Sequence, residues 1–280
     1  LSFFDLTRVE EREPVTERML AVPSAERGGD RLVFDAEVPD GWQQGAGAFG
    51  GLVLALLVRA VEAATPGRPL RSLTAEIPSP VLVGRATIAV EVLRAGQSVT
   101  VVAARLVQGG ALLAHAVMTL GAARSLAGVT DHVELPVPSV MSWRDVPPLP
   151  PDLPNIPTFA QHFEFRLLDG PPFRGAERSG ATGWIRLRAP GPAKDAALVV
   201  AHVDAWWPAE FARLTAPRPM VTAAFSLQMV GGPAAWKTDA PLLHTSRTLA
   251  VRDGYVTEIR ELWTESGELV ALNEQTMVVV

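Results

Sequence analysis

Cysteine is absent from the 280-residue chain, lysine occurs only at Lys194 and Lys237, and tyrosine only at Tyr255. Without cysteine there are no disulfides, thiolate metal sites, sulfur redox steps or cysteine nucleophiles. That usage fits a cytoplasmic protein. Runs of Lys and Arg are also missing and the net charge is −5, which argues against a nucleic-acid footprint but leaves room for a local basic pocket for a phosphorylated ligand. The longest strongly apolar helical stretch stops at Arg59, too soon to span a bilayer. The opening residues Leu1-Ser2-Phe3-Phe4-Asp5 lack the basic flank and apolar core of a secretory signal. They also lack Met, which leaves room for a native start further upstream.

Several catalytic motifs are missing as well. No Gly-x-Ser-x-Gly elbow and no P-loop occur, and Gly45-Ala46-Gly47 with Gly50 is not set in a parallel-sheet pattern, so nucleotide-dependent redox chemistry is set aside. The histidines at 115, 132, 162, 202 and 244 show no metal-ligand spacing, so neither a metal nor a cofactor is expected.

What the chain does contain is organised around Ala48–Glu62. Phe49-Gly50-Gly51 is followed by good helix formers with apolar groups on nearly every side, and a helix greasy all round must be enclosed by protein. The enclosure comes next: β segments are expected at 72–77, 86–93, 98–107 and 111–121, separated by Ala95-Gly96-Gln97 and Gly109-Gly110. A buried helix followed by an antiparallel meander reads as a sheet curled around that helix, the hotdog arrangement. Arg31–Val38 is expected to be the strand that leads into the helix. Residues 1–30 read as an apron or short edge segment. Trp42 and Phe49 read as aromatic plugs at the helix start rather than as stacking platforms for a ligand.

Between Ser125 and Phe159 the prolines are too dense for helix or ladder, and a linker is expected there. The second half then repeats the first. Thr182–Leu187 is a lead-in strand, Asp195 caps a helix running from Ala196 to Trp207, and strands follow near 220–229, 243–251, 255–264 and 268–279. The expected fold is thus α+β, a double hotdog in which two antiparallel sheets, each wrapped around a central helix, join edge to edge. Its parts are an N-terminal unit (1–124), a proline-rich linker (125–160) and a C-terminal unit (161–280).

Laying the halves on each other puts Asp204 opposite Leu56, Thr222 opposite Thr74 and Gln275 opposite Met118, all read as inward positions. A carboxylate in an apolar helix costs several kcal/mol unless it is paired or solvated. Asp204 therefore needs partners. A hydroxyl and a carboxamide from facing strands could hold a water beside it, a hydrolytic constellation; equally, they could merely satisfy a buried aspartate.

Taken together, Phe49-Gly50-Gly51, Arg71-Ser72-Leu73, Leu93-Arg94-Ala95-Gly96-Gln97-Ser98, Asp204 before its aromatic pair, Thr222 and Gln275 resemble the acyl-CoA thioesterase II family, the double-hotdog thioesterases. The resemblance implies cofactor-free hydrolysis of a fatty or related acyl-CoA to free acid and CoA, in lipid metabolism, with Asp204, Thr222 and Gln275 activating water. It also directs attention to Gly50, Gly51, Trp206 and Phe225 as substrate-binding residues. The glycines would supply an oxyanion-binding helix end, or only permit close packing. Acyl-CoA is the expected partner and a homo-oligomer the expected state, with no nucleic acid and no membrane span. Two alternatives stay open: a hotdog enoyl-CoA hydratase or dehydratase, which needs a histidine facing an acid, and a non-catalytic acyl-binding or scaffold protein.

Overall fold

The computed structural model describes residues 1–12, 31–150, 156–192, 195–231 and 237–280. Most of the expected apron, Pro151 and Pro154 of the proline-rich stretch, and Lys194 lie outside the described residues. A short helix α1 (Phe3–Leu6), capped by Ser2, leads to edge strand β1 (Val9–Arg12) and to β2 (Arg31–Val38). The two-residue strands β3 (Gln43–Gln44) and β4 (Gly47–Ala48) pair with each other just before helix α2 (Gly50–Ala64). Next come β5 (Leu70–Glu76), β6 (Gly84–Ala95), β7 (Thr100–Gln108) and β8 (Ala111–Leu120). The second half holds β9 (Phe163–Asp169), β10 (Ala181–Leu187), α3 (Ala196–Asp204), β11 (Met220–Met229), β12 (Leu242–Arg252), β13 (Tyr255–Thr264) and β14 (Leu269–Val279).

Twelve of these strands form a single antiparallel sheet in the order β1-β2-β6-β7-β8-β5-β11-β14-β13-β12-β10-β9. In place of the two sheets expected there is this one, and within it β5 of the first half pairs with β11 of the second, with Ala75 facing Phe225 and Leu73 facing Leu227. Two of the hairpins owe their shape to residues tolerating positive φ: Gly109 and Gly110 at 57° and 82°, Asp253 and Gly254 at 53° and 81°. Two successive positive φ values are what a type I′ turn requires, and its twist matches that of the flanking strands.

The apolar helices lie against one face of this sheet and against each other. α2 packs on β2, β6, β7 and β8, while α3 packs on β10, β13 and β14. A methyl group on Gly51 would come within 3.1 Å of Ala201 Cα, so the glycine lets the two helix backbones approach. Within the described residues no helix is long and apolar enough to cross a membrane.

Four further expectations need correction. Strand β9 went unforeseen. The proline-rich stretch is not a plain tether: it makes 3₁₀ turns at Trp143–Asp145 and Thr158–His162. Trp143 and Val146 are buried on the sheet face opposite α3, with Trp184, Leu243, Trp263 and Leu269. Arg166 Nη1 fixes them there by donating to the carbonyls of both Trp143 and Val146. Helix α3 ends at Asp204 rather than Trp207. The chain bends there before Pro208, and Arg260 Nη1 caps the helix end by donating to the carbonyls of Val203 (3.0 Å) and Asp204 (3.3 Å). Lastly, Thr74 is exposed rather than inward, while Leu56 and Met118 are buried.

Candidate active site

Helix α2 begins without a cap of its own, because Phe49 occupies the N-cap position and has no side-chain acceptor. Its orphan N–H groups need an acceptor from elsewhere. Asp204, at the last turn of α3, supplies it. The backbone N–H of Gly51 favours the ionised carboxylate, and Asp204 Oδ2 lies 2.9 Å from where a Cβ on Gly50 would be. A carboxylate of the second half thus sits on the positive end of the helix of the first.

Strands β11 and β14 bring two further side chains to this carboxylate. Gln275 Nε2 donates to Asp204 Oδ1 at 3.1 Å and to Asn273 Oδ1 at 3.1 Å. Thr222 Oγ1 donates to Gln275 Oε1 at 2.8 Å. The amide has one self-consistent orientation, since an ionised carboxylate can only accept and must meet the nitrogen. Asn273 is itself held, its Nδ2 donating to Ser226 O at 2.7 Å.

The inward aim of Thr222 comes from a bulge. Phe225 faces Gln275 across the β11–β14 ladder, and an unbroken pleat would send Thr222, three residues earlier, to the other face. A register shift between Thr222 and Ala224 inserts one residue, so Thr222 faces Met277 and lies on the same side as Gln275 and Phe225. The ladder from β11 to β5 begins at Phe225 and does not reach the bulge; on β5 the irregularity, against β8, lies between Leu70 and Ser72, and Thr74 beyond it is exposed.

Asp204 also feels a charge that the sequence did not bring forward. Arg260 Nη1 lies 3.9 Å from Asp204 Oδ1, and the guanidinium is only 2% exposed. Glu258, fully buried, accepts from Arg260 Nε at 2.8 Å and from Ala209 N–H at 2.6 Å. Burial pushes the Asp204 carboxyl up, against the opposing pulls of Arg260, Gln275 and Gly51 N–H. With 11% of its side chain exposed, Asp204 is still reachable by water.

Asp204, Thr222, Gln275, Gly50 and Gly51 therefore meet. Phe225, buried, lies on the same sheet face beside Gln275. Trp206 makes none of these contacts: its ring stacks on His244 at 5.2 Å and packs on Phe165 and Trp207. Phe49 stacks on Phe159 at 4.0 Å and Trp42 on His162 at 4.0 Å, as aromatic plugs would. Neither buried histidine of the second half bonds to Asp204; His202 has Nδ1 on Leu198 O and Nε2 on Leu187 N–H, and burial lowers its pKa to about 4. Within the described residues no group of three or more His, Asp or Glu is placed to hold a metal ion.

The sequence-missed members of the site are Asn273, Glu258 and Arg260. The available signal was a charged pair two apart on one strand, in line with apolar Val256 and Leu262.

Comparisons with known proteins bear on the fold and the family. Three similar solved structures are a hot dog fold protein of unknown function from Alicyclobacillus acidocaldarius (TM-score 0.84, 23% identity, 99% of this chain and 97% of that one), the tesB protein of Mycobacterium avium subspecies paratuberculosis (0.74, 17%, 99% and 98%), and the acyl-CoA thioesterase II TesB2 of Mycobacterium marinum (0.68, 19%, 89% and 93%). At these identities the likeness speaks for the fold, which is of the hotdog kind. Among curated proteins no sequence matches the chain. The family models described as acyl-CoA thioesterase N-terminal domain and C-terminal domain match residues 38–121 and 134–279, and the chain belongs to the acyl-CoA thioesterase family.

Proposed function

We propose that the protein hydrolyses a fatty or related acyl-CoA to the free acid and CoA, with Asp204 as general base. The observation that carries this reading is the seating of Asp204 at the open end of α2, with Gln275 on Oδ1 and Oδ2 turned towards Gly50. The carboxyl is pushed up by burial, which makes its ionised form a better proton acceptor. Both N–H bonds of Gln275 are taken, by Asp204 and Asn273, so its role is to orient the carboxylate and Thr222 rather than to donate to the water. Thr222 spends its proton on Gln275, so Oγ1 is left as an acceptor. A water donating to Asp204 Oδ2 and to Thr222 Oγ1 presents a lone pair to the thioester carbonyl.

In the reaction, the water oxygen bonds to the carbonyl carbon while its proton passes to Asp204. The C–S bond then breaks, and the same proton leaves with the CoA sulfur. The N–H of Gly50, which a helix start leaves without an intrahelical partner, is the donor assigned to the oxyanion. Phe225 lines the acyl side of the site, and Trp206 serves as packing for the bend after α3. In this reading residues 1–124 and 161–280 are two hotdog units joined by 125–160, and the enzyme acts in the cytoplasm, in lipid metabolism, as a homo-oligomer without a cofactor.

One observation favours a non-catalytic alternative: the Asp204 carboxylate caps α2 and is well supplied with donors, as a purely structural aspartate would be. Release of free thiol from acyl-CoAs of graded chain length decides between them. A hydrolase releases thiol and loses that activity in Asp204→Asn; a scaffold releases none at any length.

A further inference from the structure

Behind Asp204 lies a buried ion pair, Glu258 with Arg260. On β13, Glu258 and Arg260 project from the sheet face that α3 covers, between Val256 and Leu262. Each grips a different side of the bend that follows the helix. Arg260 Nη1 holds the carbonyls of Val203 and Asp204. Glu258 Oε2 holds Ala209 N–H beyond Pro208 at 2.6 Å, and its Oε1 holds Arg260 Nε at 2.8 Å. A buried pair of this kind gives little net stability over well-packed apolar residues, so its placement across this bend invites another role.

We propose that Glu258 and Arg260 are positioning residues for Asp204, fixing the α3 end that carries the carboxylate and setting how much positive charge it meets. The proposal rests on the hydrolase reading given above. Among the described residues the charged and titratable groups around Asp204 are few. Arg260 is 3.9 Å away on β13 with Glu258 behind it. From β12, His244 is fully buried, and burial and the Arg260 charge hold it well below the usual imidazole range, so it stays neutral. β11 and β14 contribute the uncharged Thr222, Gln275 and Asn273, and α2 contributes Gly51 N–H. Arg260 is therefore the positive charge that favours ionised Asp204, and Glu258 tempers it from the far side; its own carboxyl is raised by burial and, in smaller part, by Asp204.

The test is the protonation midpoint of Asp204, read twice: as the acid limb of kcat/KM against pH, and by carbon-13 NMR of labelled aspartate, with the Asp204 resonance identified by its loss in Asp204→Asn. Arg260→Met removes the charge and the grip, so the midpoint should rise by about one unit or more and kcat should fall more than KM changes. Arg260→Lys keeps the charge but cannot reach all of the acceptors. Its midpoint should return to near the parental value while kcat stays at least about tenfold low. Glu258→Gln frees Arg260 from its counter-charge and should lower the midpoint by about half a unit or more. A merely structural pair predicts less folded protein but an unchanged midpoint and kcat per folded molecule in all three, and that result would overturn the proposal. Where Arg260→Met does not fold, full kcat in Arg260→Lys or an unmoved midpoint in Glu258→Gln overturns it equally. If the parent hydrolyses no acyl-CoA the hydrolase reading fails, yet the NMR midpoints still report whether this pair sets the charge of Asp204.

Discussion

A methyl group on Gly50 would sit 2.9 Å from Oδ2 of Asp204, although the two residues belong to opposite halves of the chain. The contact joins the start of α2 to the end of α3 and leaves no room for a side chain between them. Gly50→Ala should therefore push the carboxylate off Gly51 N–H and away from the water. Alanine is the better helix former by up to about 1 kcal/mol, so thermal stability should change little while thiol release falls at least about tenfold. Equal turnover in parent and variant would show that the helix start takes no part.

The corresponding position of the first half is silent. Met118 is fully buried on β8, and neither it nor Leu56 can hold a water. Met118→Leu should cost less than about 1.5 kcal/mol, as volume-conserving core swaps do, and leave kcat unchanged. Lost activity with an unchanged melting curve would reveal chemistry in that half.

The first half was legible because its signals are local. An all-apolar stretch after Phe49-Gly50-Gly51 and a Gly109-Gly110 turn define helix and hairpin without help from distant residues. The second half was less so. The end of α3 is set by Arg260, far along the chain, so the apolar pattern through Trp206 and Trp207 overran it. Asp204, Thr222 and Gln275 stand together, as their inward placement implied, but the direction of Thr222 depends on a bulge that strand periodicity does not encode. Strand β13 hid its charged pair because both of its faces carry apolar residues, Val256 and Leu262 on one and Ile259 and Trp263 on the other, so alternation does not say which face is inside.

Trp206 separates packing from binding. Enclosed by His244, Phe165 and Trp207, it should cost roughly 3–5 kcal/mol when cut to alanine, with acyl-length preference unchanged in the folded fraction. A shift in preferred chain length would return Trp206 to the acyl channel.

A second, half-buried cluster should make stability depend on pH. Glu62 on α2 lies beside Arg59 and Asp195, whose carboxylate forms an ion pair with Arg59. Burial, then the charge of Asp195, raise the Glu62 carboxyl to about 7. The folded protein consequently holds a proton that the unfolded chain gives up near the ordinary carboxyl value of 4.5, so this group's contribution is present below about 4.5 and is lost as pH rises to about 7. Glu62→Gln should flatten the fall in melting temperature across that window, an effect of order 1 kcal/mol. Parallel curves for parent and variant would remove Glu62 as the cause.

The most direct measurement is the turnover of Asp204→Asn on an acyl-CoA that the parent hydrolyses. The substitution keeps the shape of the side chain and one acceptor for Gln275 or Gly51, but it removes the charge and turns an N–H₂ towards the other donor, so stability should shift by no more than about 1–2 kcal/mol. Without a base, thiol release should fall by about 10² to 10⁴ with KM little altered. Adding Thr222→Val or Gln275→Leu should then cost little more, since Asp204 and Thr222 hold one water and Gln275 acts only by orienting those two. Turnover in Asp204→Asn equal to that of the parent would contradict the account.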